Sequence, residues 1–202
     1  MNLCAITVSI IGPFIGIAMP ITVIQMLWIN MVMDTLASLA FSYEVPMLEY
    51  MQEPPKSKDE GIINKYMLNE ILITGFYSSF LCIWFLKSNF ISNFYRYSLD
   101  SKYLLTAFFG LFIFIGVFNS FNARTSRLNI FNNLIRNKAF LMVIVFVAIV
   151  QIYLIYYGGS LFRTTALTIR EFSLMLLLAL SVIPFDFIRK IIIKKISKIT
   201  GV

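Results

Sequence analysis

Six long apolar segments constrain the fold of this chain more than any other feature of its sequence. A helix needs about 20 mostly apolar residues to cross the roughly 30 Å of hydrocarbon in a bilayer. Segments that meet or nearly meet this length lie at residues 2–19, 21–42, 66–87, 103–122, 138–157 and 171–193. Because hydrocarbon offers no partners for backbone hydrogen bonds, each segment should be helical. The sequence therefore predicts an all-α, polytopic integral membrane helical bundle with six transmembrane spans.

Composition excludes an ordinary soluble domain and narrows the metals that the chain could bind. Hydrophobic residues make up 59% of the 202 residues and charged residues 13%, against about 25% charged in soluble domains. The chain has no histidine, and its two cysteines, Cys4 and Cys82, lie in apolar segments. Without imidazole or a thiolate cluster, only oxygen ligands remain, which favour hard cations such as Ca²⁺, Mg²⁺ or Mn²⁺.

The basic residues are unevenly distributed between the two sides of the predicted bundle. Connections 43–65 and 123–138 and the C-terminal tail carry twelve of them, and the alternate side carries five. Since positive charge is retained on the cytoplasmic side, we expect cytoplasmic loops at 43–65 and 123–137 and two cytoplasmic termini. This orientation accounts for the net charge of +7. The predicted partner is the lipid bilayer, not nucleic acid.

Asp34 is the carboxylate that lies deepest within a long apolar segment. A charge near the bilayer centre costs about 2.5 to 3.5 kcal/mol on insertion scales, so it usually serves an ion, a proton or a partner. On an α-helix, Asn30, Asp34 and Ser38 would share one face, and Asn2 offers another amide on the first segment. Such oxygens suit a hard cation. The alternative is that they join helices by hydrogen bonds.

The other charges within apolar segments lie near segment ends and are predicted not to form a site. Asp186, Arg189 and Lys190 lie near the cytoplasmic end of the last segment, where we expect them to pair locally and extend toward the surface. We expect the same of Glu70 and Glu171, which are also close to segment ends.

The segment 20–40 carries a resemblance to a known family. Its core, Gln-Met-Leu-Trp-x-Asn-x-x-Met-Asp-Thr from 25 to 35, resembles the sixth transmembrane helix of P-type calcium-transporting ATPases, particularly the plasma-membrane type and its bacterial relatives. Further similarity lies at Glu-Pro-Pro-Lys (53–56), Gly-Ile-Ile (61–63), Phe-Asn-Ser-Phe-Asn-Ala-Arg (118–124) and 131–137. The resemblance implies that residues 1–202 form the C-terminal transmembrane domain, helices five to ten, of such a pump.

The same resemblance implies a set of ion ligands. The family's site on its sixth helix falls on Asn30 and Asp34, and its fifth-helix asparagine falls on Asn2. The transported ion would be Ca²⁺, although the residues leave Mn²⁺ open. ATP and Mg²⁺ would act only through other domains of the pump.

Three positions depart from the family pattern, two of them from that of two-site pumps. Ala5 stands where they have a glutamate and Met33 where they have a threonine, as in the single-site plasma-membrane type. Gly116 stands where the eighth helix of relatives offers Glu or Gln, which leaves this helix without a side-chain ligand there.

The pump's phosphorylation, nucleotide-binding and actuator motifs and its fourth-helix site are absent from these residues. We therefore expect a translocase fragment that cannot hydrolyse ATP alone, with the remaining pump domains as partners and, by the resemblance, a bacterial plasma membrane as location. A stand-alone transporter or channel and a non-catalytic membrane scaffold subunit remain as alternatives.

Overall fold

Helices form the regular structure of this chain. The computed structural model describes residues 1–17, 19–43, 65–125, 128, 134 and 137–200, excluding the side chains of 33, 34, 65, 66 and 197–200. No strand occurs among the described residues, so the all-α prediction is confirmed. Most of the predicted loops 43–65 and 123–137 lies outside the described residues.

The described helices follow one another along the chain without a sheet between them. They are α1 (Asn2–Phe14), α2 (Val23–Asn30), a π-helix (Met31–Leu36), α3 (Ala37–Ser42), α4 (Lys65–Lys87), α5 (Asn89–Phe94), α6 (Lys102–Ala123), α7 (Lys138–Tyr157), α8 (Gly159–Phe162), α9 (Ile169–Leu180) and α10 (Val182–Thr200).

Among the described residues, three helices are long and apolar enough to cross a membrane. They are α4 from Met67 onward, α6 and α7, and they correspond to the predicted spans 66–87, 103–122 and 138–157. The other three predicted spans are each shorter or interrupted. A count of six spans is therefore not shown by the length and composition of the helices.

The first predicted span, 2–19, ends early. Helix α1 stops at Phe14, with Pro13 in its last turn, and Gly16 adopts a positive φ of 87°. Proline cannot donate a backbone hydrogen bond, and glycine accepts the left-handed conformation without steric cost. The predicted span 2–19 is thus not one continuous helix.

The last predicted span, 171–193, is divided at Ser181 into α9 and α10. The hydroxyl of Ser181 donates to the carbonyl of Leu178 and accepts a hydrogen bond from Tyr77 at 2.7 Å. A side chain that bonds its own helix backbone competes with regular helical bonding. The break between α9 and α10 thus lies at the contact between Ser181 and Tyr77 of α4.

Helix α6 forms the centre of the described bundle. It packs against α4, α7, α9 and α10. In its apolar 18-residue stretch, 83% of the residues are buried inside the protein, compared with 28% in the corresponding stretch of α7. Phe108, Phe109 and Phe112 are completely buried along its length. Helix α6 is therefore enclosed by protein, whereas most of α7 presents apolar side chains outward, as a lipid-facing helix does.

Helix α1 packs on α4. The contact contains Cys4 and Cys82, whose sulfur atoms lie 3.8 Å apart and are buried. Gly75 allows a close approach, because a Cβ there would meet Leu3 Cδ2 at 2.9 Å. This packing fixes α1, and with it Asn2, relative to the core.

An ion pair closes the bundle at the end where α9 begins. The Arg96 guanidinium donates to both carboxylate oxygens of Glu171, at 3.1 and 3.0 Å, and this hydrogen bonding raises the pKa of Arg96. Glu171 also completes a capping box with Thr168. The expectation that Glu171 extends toward the surface is wrong, because its side chain is only 3% exposed.

Candidate cation site

Two of the three predicted ligands line one groove. Asn2 on α1 and Asn30 at the end of α2 border a groove of about 390 Å³, together with Ala5, Ser9 and other side chains. Both asparagines are exposed at its open side. Amide oxygens are hard ligands of the kind that Ca²⁺ accepts, so the groove offers the first elements of a cation site.

The third predicted ligand, Asp34, belongs to the π-helix Met31–Leu36. Its side chain is outside the described residues, so its part in the groove stays a prediction. The π-helix follows Asn30 directly, and the Ala37 amide donates to the carbonyl of Val32, five residues earlier. Wide turns of this kind occur mostly as single insertions in α-helices, often at functional sites.

The predicted regular α-helix over 21–42 is therefore wrong in its middle. A wide turn rotates the residues after it relative to the α-helical spacing of 3.6 residues per turn. Asn30 and Ser38 lie on either side of the π-helix. Their angular separation around the helix axis therefore differs from that on a continuous α-helix.

Helix α2 is held in place by side chains that the sequence did not single out. Thr22 and Gln25 form a capping box at its start. The Gln25 amide donates to the carbonyl of Phe162 at 2.7 Å, and the Trp28 indole donates to Gln151 Oε1 on α7 at 3.1 Å. These bonds fix the rotation of α2 and so the direction of Asn30. In the sequence, the signal for these hydrogen bonds was the presence of glutamines within apolar segments.

Carboxylates do not gather around this groove in the described part of the chain. Among the described residues, no three or more Asp, Glu, Cys or His side chains lie together as a metal cluster. Ca²⁺ takes six to eight oxygen ligands, and tight sites include several carboxylates. A calcium site at this groove would therefore need further oxygens.

A second, larger cavity adjoins the first through Asn2. It has a volume of about 490 Å³ and lies between α1, α3, α4 and α6. Glu70 and Asn119 contribute polar side chains, and Gly116 contributes backbone surface on α6. Asn2 thus borders both cavities.

A buried charge cluster lies beside this second cavity. Asp186 is fully buried, and it accepts a hydrogen bond from Arg189 Nε at 2.6 Å and pairs with Lys190 Nζ at 2.9 Å. The predicted local pairing is confirmed. The predicted extension toward the surface is wrong, because the Arg189 and Lys190 side chains are 3% and 2% exposed.

The cluster also joins three helices. Arg189 lies 3.4 Å from Glu70 Oε2 on α4. Lys190 donates to the carbonyls of Asn122 and Thr125, near the end of α6, at 2.8 Å each. Helix α10 is thereby attached to α4 and α6 through charge-assisted hydrogen bonds, the stronger class of such bonds.

Comparison with known proteins identifies related chains. Residues 18–192 match the family described as cation transporting ATPase, C-terminus. A probable plasma membrane-type calcium-transporting ATPase 9 from Oryza sativa subsp. japonica is 32% identical over 171 residues, which cover 83% of this chain and 16% of the relative. The plasma membrane calcium-transporting ATPase mca-1 from Caenorhabditis elegans is 29% identical over 192 residues, which cover 90% of this chain and 15% of that protein.

A third relative is the putative plasma membrane-type calcium-transporting ATPase 7 from Arabidopsis thaliana, 33% identical over 171 residues, which cover 84% of this chain and 17% of the relative. The chain therefore spans about one sixth of the length of these curated relatives. They come from plants and an animal, so the expected bacterial affinity is not supported.

Proposed function

The chain belongs to the cation-transporting ATPase C-terminal family, and we propose that it forms helices five to ten of the membrane domain of an ATP-driven pump that exports Ca²⁺. The relatives named above are calcium-transporting ATPases. The observation that carries the proposal is the groove of about 390 Å³, which brings Asn2 and Asn30 together beside the π-helix that contains Asp34.

In the proposed site, three residues supply oxygen ligands to the ion. Asn30 and Asp34 supply oxygens from the second span, and Asn2 supplies one from the first. The carboxylate balances part of the charge of Ca²⁺, which a low-dielectric interior would otherwise make costly. The π-helix supports this assignment, because its altered bonding leaves backbone carbonyls differently directed from those of an α-helix.

The proposed topology keeps six spans despite the interrupted helices. Helix α1, the α2–π–α3 segment and the α9–α10 segment would each cross the membrane with a break. Breaks at membrane depth are tolerated where protein or a water-filled cavity satisfies the freed backbone groups. The loops 43–65 and 123–137 and both termini would face the cytoplasm, in line with their basic residues.

ATP hydrolysis is proposed to occur elsewhere in the pump. The matched region is about one sixth of the relatives, and the 202 residues contain no Asp-Lys-Thr-Gly-Thr motif. Phosphorylation, nucleotide-binding and actuator domains and four further spans would be the partners of this chain. Phosphoryl transfer needs the attacked aspartate and its Mg²⁺ environment, which those domains would supply.

Calcium-stimulated phosphorylation of the complete pump by ATP tests this proposal. Asp34→Asn keeps the side-chain size and removes the charge, so we expect it to abolish phosphorylation at calcium concentrations that saturate the parent pump. Asp100→Asn is the matched control, because Asp100 is exposed in the loop before α6. A normal calcium dependence in Asp34→Asn would refute the site. Calcium flux through the 202-residue chain in liposomes without ATP would instead indicate a stand-alone transporter.

A further inference from the structure

An open cleft of about 330 Å³, the α9 cleft, lies beside the first half of α9, with a wall contributed by α5. Its apolar walls are the side chains of Phe94 on α5 and of Ile169, Leu174 and Leu177 on α9. Ile169 and Leu177 are about two turns apart, or about 12 Å along the helix. The cleft therefore follows α9 over a length that suits part of an extended acyl chain.

The apolar walls of the α9 cleft face outward from the described bundle. Ile169 is 80% exposed, Leu177 is 65% exposed and Phe94 is 43% exposed. Contiguous exposed apolar side chains mark a surface that contacts a membrane, a ligand or another protein. In the proposed topology α9 begins the last span, so the cleft would open to lipid in the non-cytoplasmic leaflet.

One cationic side chain borders the α9 cleft. Arg170, in the first turn of α9, is exposed and lines the cleft. It makes no hydrogen bond or ion pair with another residue that the structure describes. The other polar side chain of the lining, Ser173, donates its hydroxyl proton to the carbonyl of Ile169 at 2.7 Å. The guanidinium of Arg170 is thus the side-chain donor that the cleft offers to a ligand.

The neighbouring carboxylate, Glu171, does not compensate the charge of Arg170. Both of its oxygens accept hydrogen bonds from the guanidinium of Arg96, at 3.1 and 3.0 Å, and this pair of charges sums to zero. Arg170 is therefore left to pair with an anion from outside the described chain. Guanidinium groups bind phosphate oxygens with particular strength, because two N–H donors can face two oxygens at once.

We propose that the α9 cleft binds one anionic phospholipid, with its phosphate on Arg170 and one acyl chain along Phe94 and Leu177. A protein partner would have to bring a carboxylate to Arg170, whereas a phospholipid brings the anion and the apolar chain together. The inference rests on the part of the proposed function that places α9 in a membrane span. It does not depend on the identity of the transported ion.

Quenching of tryptophan fluorescence by brominated phospholipids measures lipid binding at the cleft. In a Trp28→Phe, Trp84→Phe background, Phe94→Trp places the reporter in the cleft and Phe146→Trp places it on the exposed face of α7. The full 202-residue chain is reconstituted in mixtures of phosphatidylcholine and phosphatidylglycerol, one of which carries bromine on its acyl chains. The quenching curves give the binding constant of phosphatidylglycerol relative to phosphatidylcholine at each reporter.

A preference for phosphatidylglycerol of about fivefold is expected at Phe94→Trp, since one basic residue near an anionic headgroup contributes about this factor. Phe146→Trp should show no preference, because α7 has no charged residue after Lys138. Arg170→Gln should lower the preference at Phe94→Trp to about one. Arg170→Lys keeps the charge and should keep most of the preference.

Lys102→Gln is the matched control for the loss of one positive charge at the same end of the bundle. Lys102 precedes Tyr103, whose ring lies 3.9 Å from the guanidinium carbon of Arg96. Its ammonium pairs with Asp100 at 3.4 Å, and it does not line the cleft. Lys102→Gln should therefore leave the preference at Phe94→Trp unchanged.

Ser173→Phe separates a lipid site from an exposed charge without a binding cleft. The larger side chain would fill the cleft and leave Arg170 in place, so the preference at Phe94→Trp should fall toward one. A preference that survives Ser173→Phe or Arg170→Gln, or that is equal at Phe146→Trp, overturns the lipid site. Quenching at Phe146→Trp without quenching at Phe94→Trp also overturns it and indicates that protein, such as a second copy of the chain, covers the cleft. The calcium site is tested separately, by the phosphorylation of Asp34→Asn.

Discussion

The buried charges between α4, α6 and α10 allow a quantitative stability prediction. Asp186→Asn keeps the shape of the side chain and removes the charge that faces Arg189 and Lys190. Removing one partner of a buried ion pair typically costs about 3 to 5 kcal/mol, because the other charge is left uncompensated. We expect Asp186→Asn to lower the free energy of unfolding by an amount within this range.

The remaining contacts of Arg189 and Lys190 place the expected loss of unfolding free energy at the lower end of this range. Without the carboxylate of Asp186, Lys190 still donates to two backbone carbonyls at 2.8 Å. Arg189 still faces Glu70 at 3.4 Å. Neither cation is left bare, so we expect a loss of about 3 kcal/mol.

Glu171→Gln is the matched control for this prediction. Glu171 is as well buried as Asp186, but its partner Arg96 has a side chain that is 45% exposed and can turn to water. A glutamine can still accept hydrogen bonds at the capping box with Thr168. It loses the two bonds that Glu171 Oε1 accepts from Arg96, at 2.9 and 3.1 Å, so we expect a loss of about 2 kcal/mol, at about 1 kcal/mol for each hydrogen bond.

Unfolding by sodium dodecyl sulfate in mixed micelles, followed by tryptophan fluorescence, measures both losses. Adding Lys190→Met to Asp186→Asn removes one of the two cations that have lost the Asp186 carboxylate, so the double variant should regain part of the lost stability. A loss below about 1 kcal/mol for Asp186→Asn, or no recovery in the double variant, would show that water reaches the cluster and that the reasoning from burial fails.

Two further substitutions test the local packing around the groove. Gly12→Ala should destabilise the chain by about 1 to 3 kcal/mol as an overpacking change, because its Cβ would lie 2.8 Å from Cγ of Pro20; the same unfolding assay measures it. Gln151→Leu should cost about 1 kcal/mol by removing the acceptor of the Trp28 indole, and it should shift the fluorescence of Trp28. Trp28→Phe combined with Gln151→Leu should cost no more than the sum of the two single changes.

Hydropathy predicted the helices whose ends carry their own local signals. Helix α7 matches the predicted span 138–157 because Asn137 caps its start and Gly158 follows its end. Helix α1 does not match, since a window of about 20 residues averages over the Gly12 to Gly16 turn. The π-helix was not predictable from hydropathy either, because it changes the hydrogen bonding of one turn and leaves the apolar composition unchanged.

The residues of the candidate groove were predictable only where their chemistry is unusual for their surroundings. Asn2 and Asn30 are polar residues in apolar segments, and the structure brings them to one groove. The bond between Trp28 and Gln151 joins residues 123 positions apart, and Lys190 bonds a carbonyl 68 positions away. Such contacts depend on how the helices pack, which no single segment encodes. The burial of Asp186 was missed for this reason.

The open side of the groove bears on how the chain functions in a membrane. Asn2 and Asn30 are exposed there in the described structure, and an amide that faces hydrocarbon without a hydrogen bond costs about 4 to 8 kcal/mol by transfer to cyclohexane. Two such amides would offset much of the roughly 5 to 15 kcal/mol that stabilises a typical folded domain. The groove is therefore better suited to face other helices, an ion or water than lipid. A surface that completes the proposed ion site would also remove this penalty.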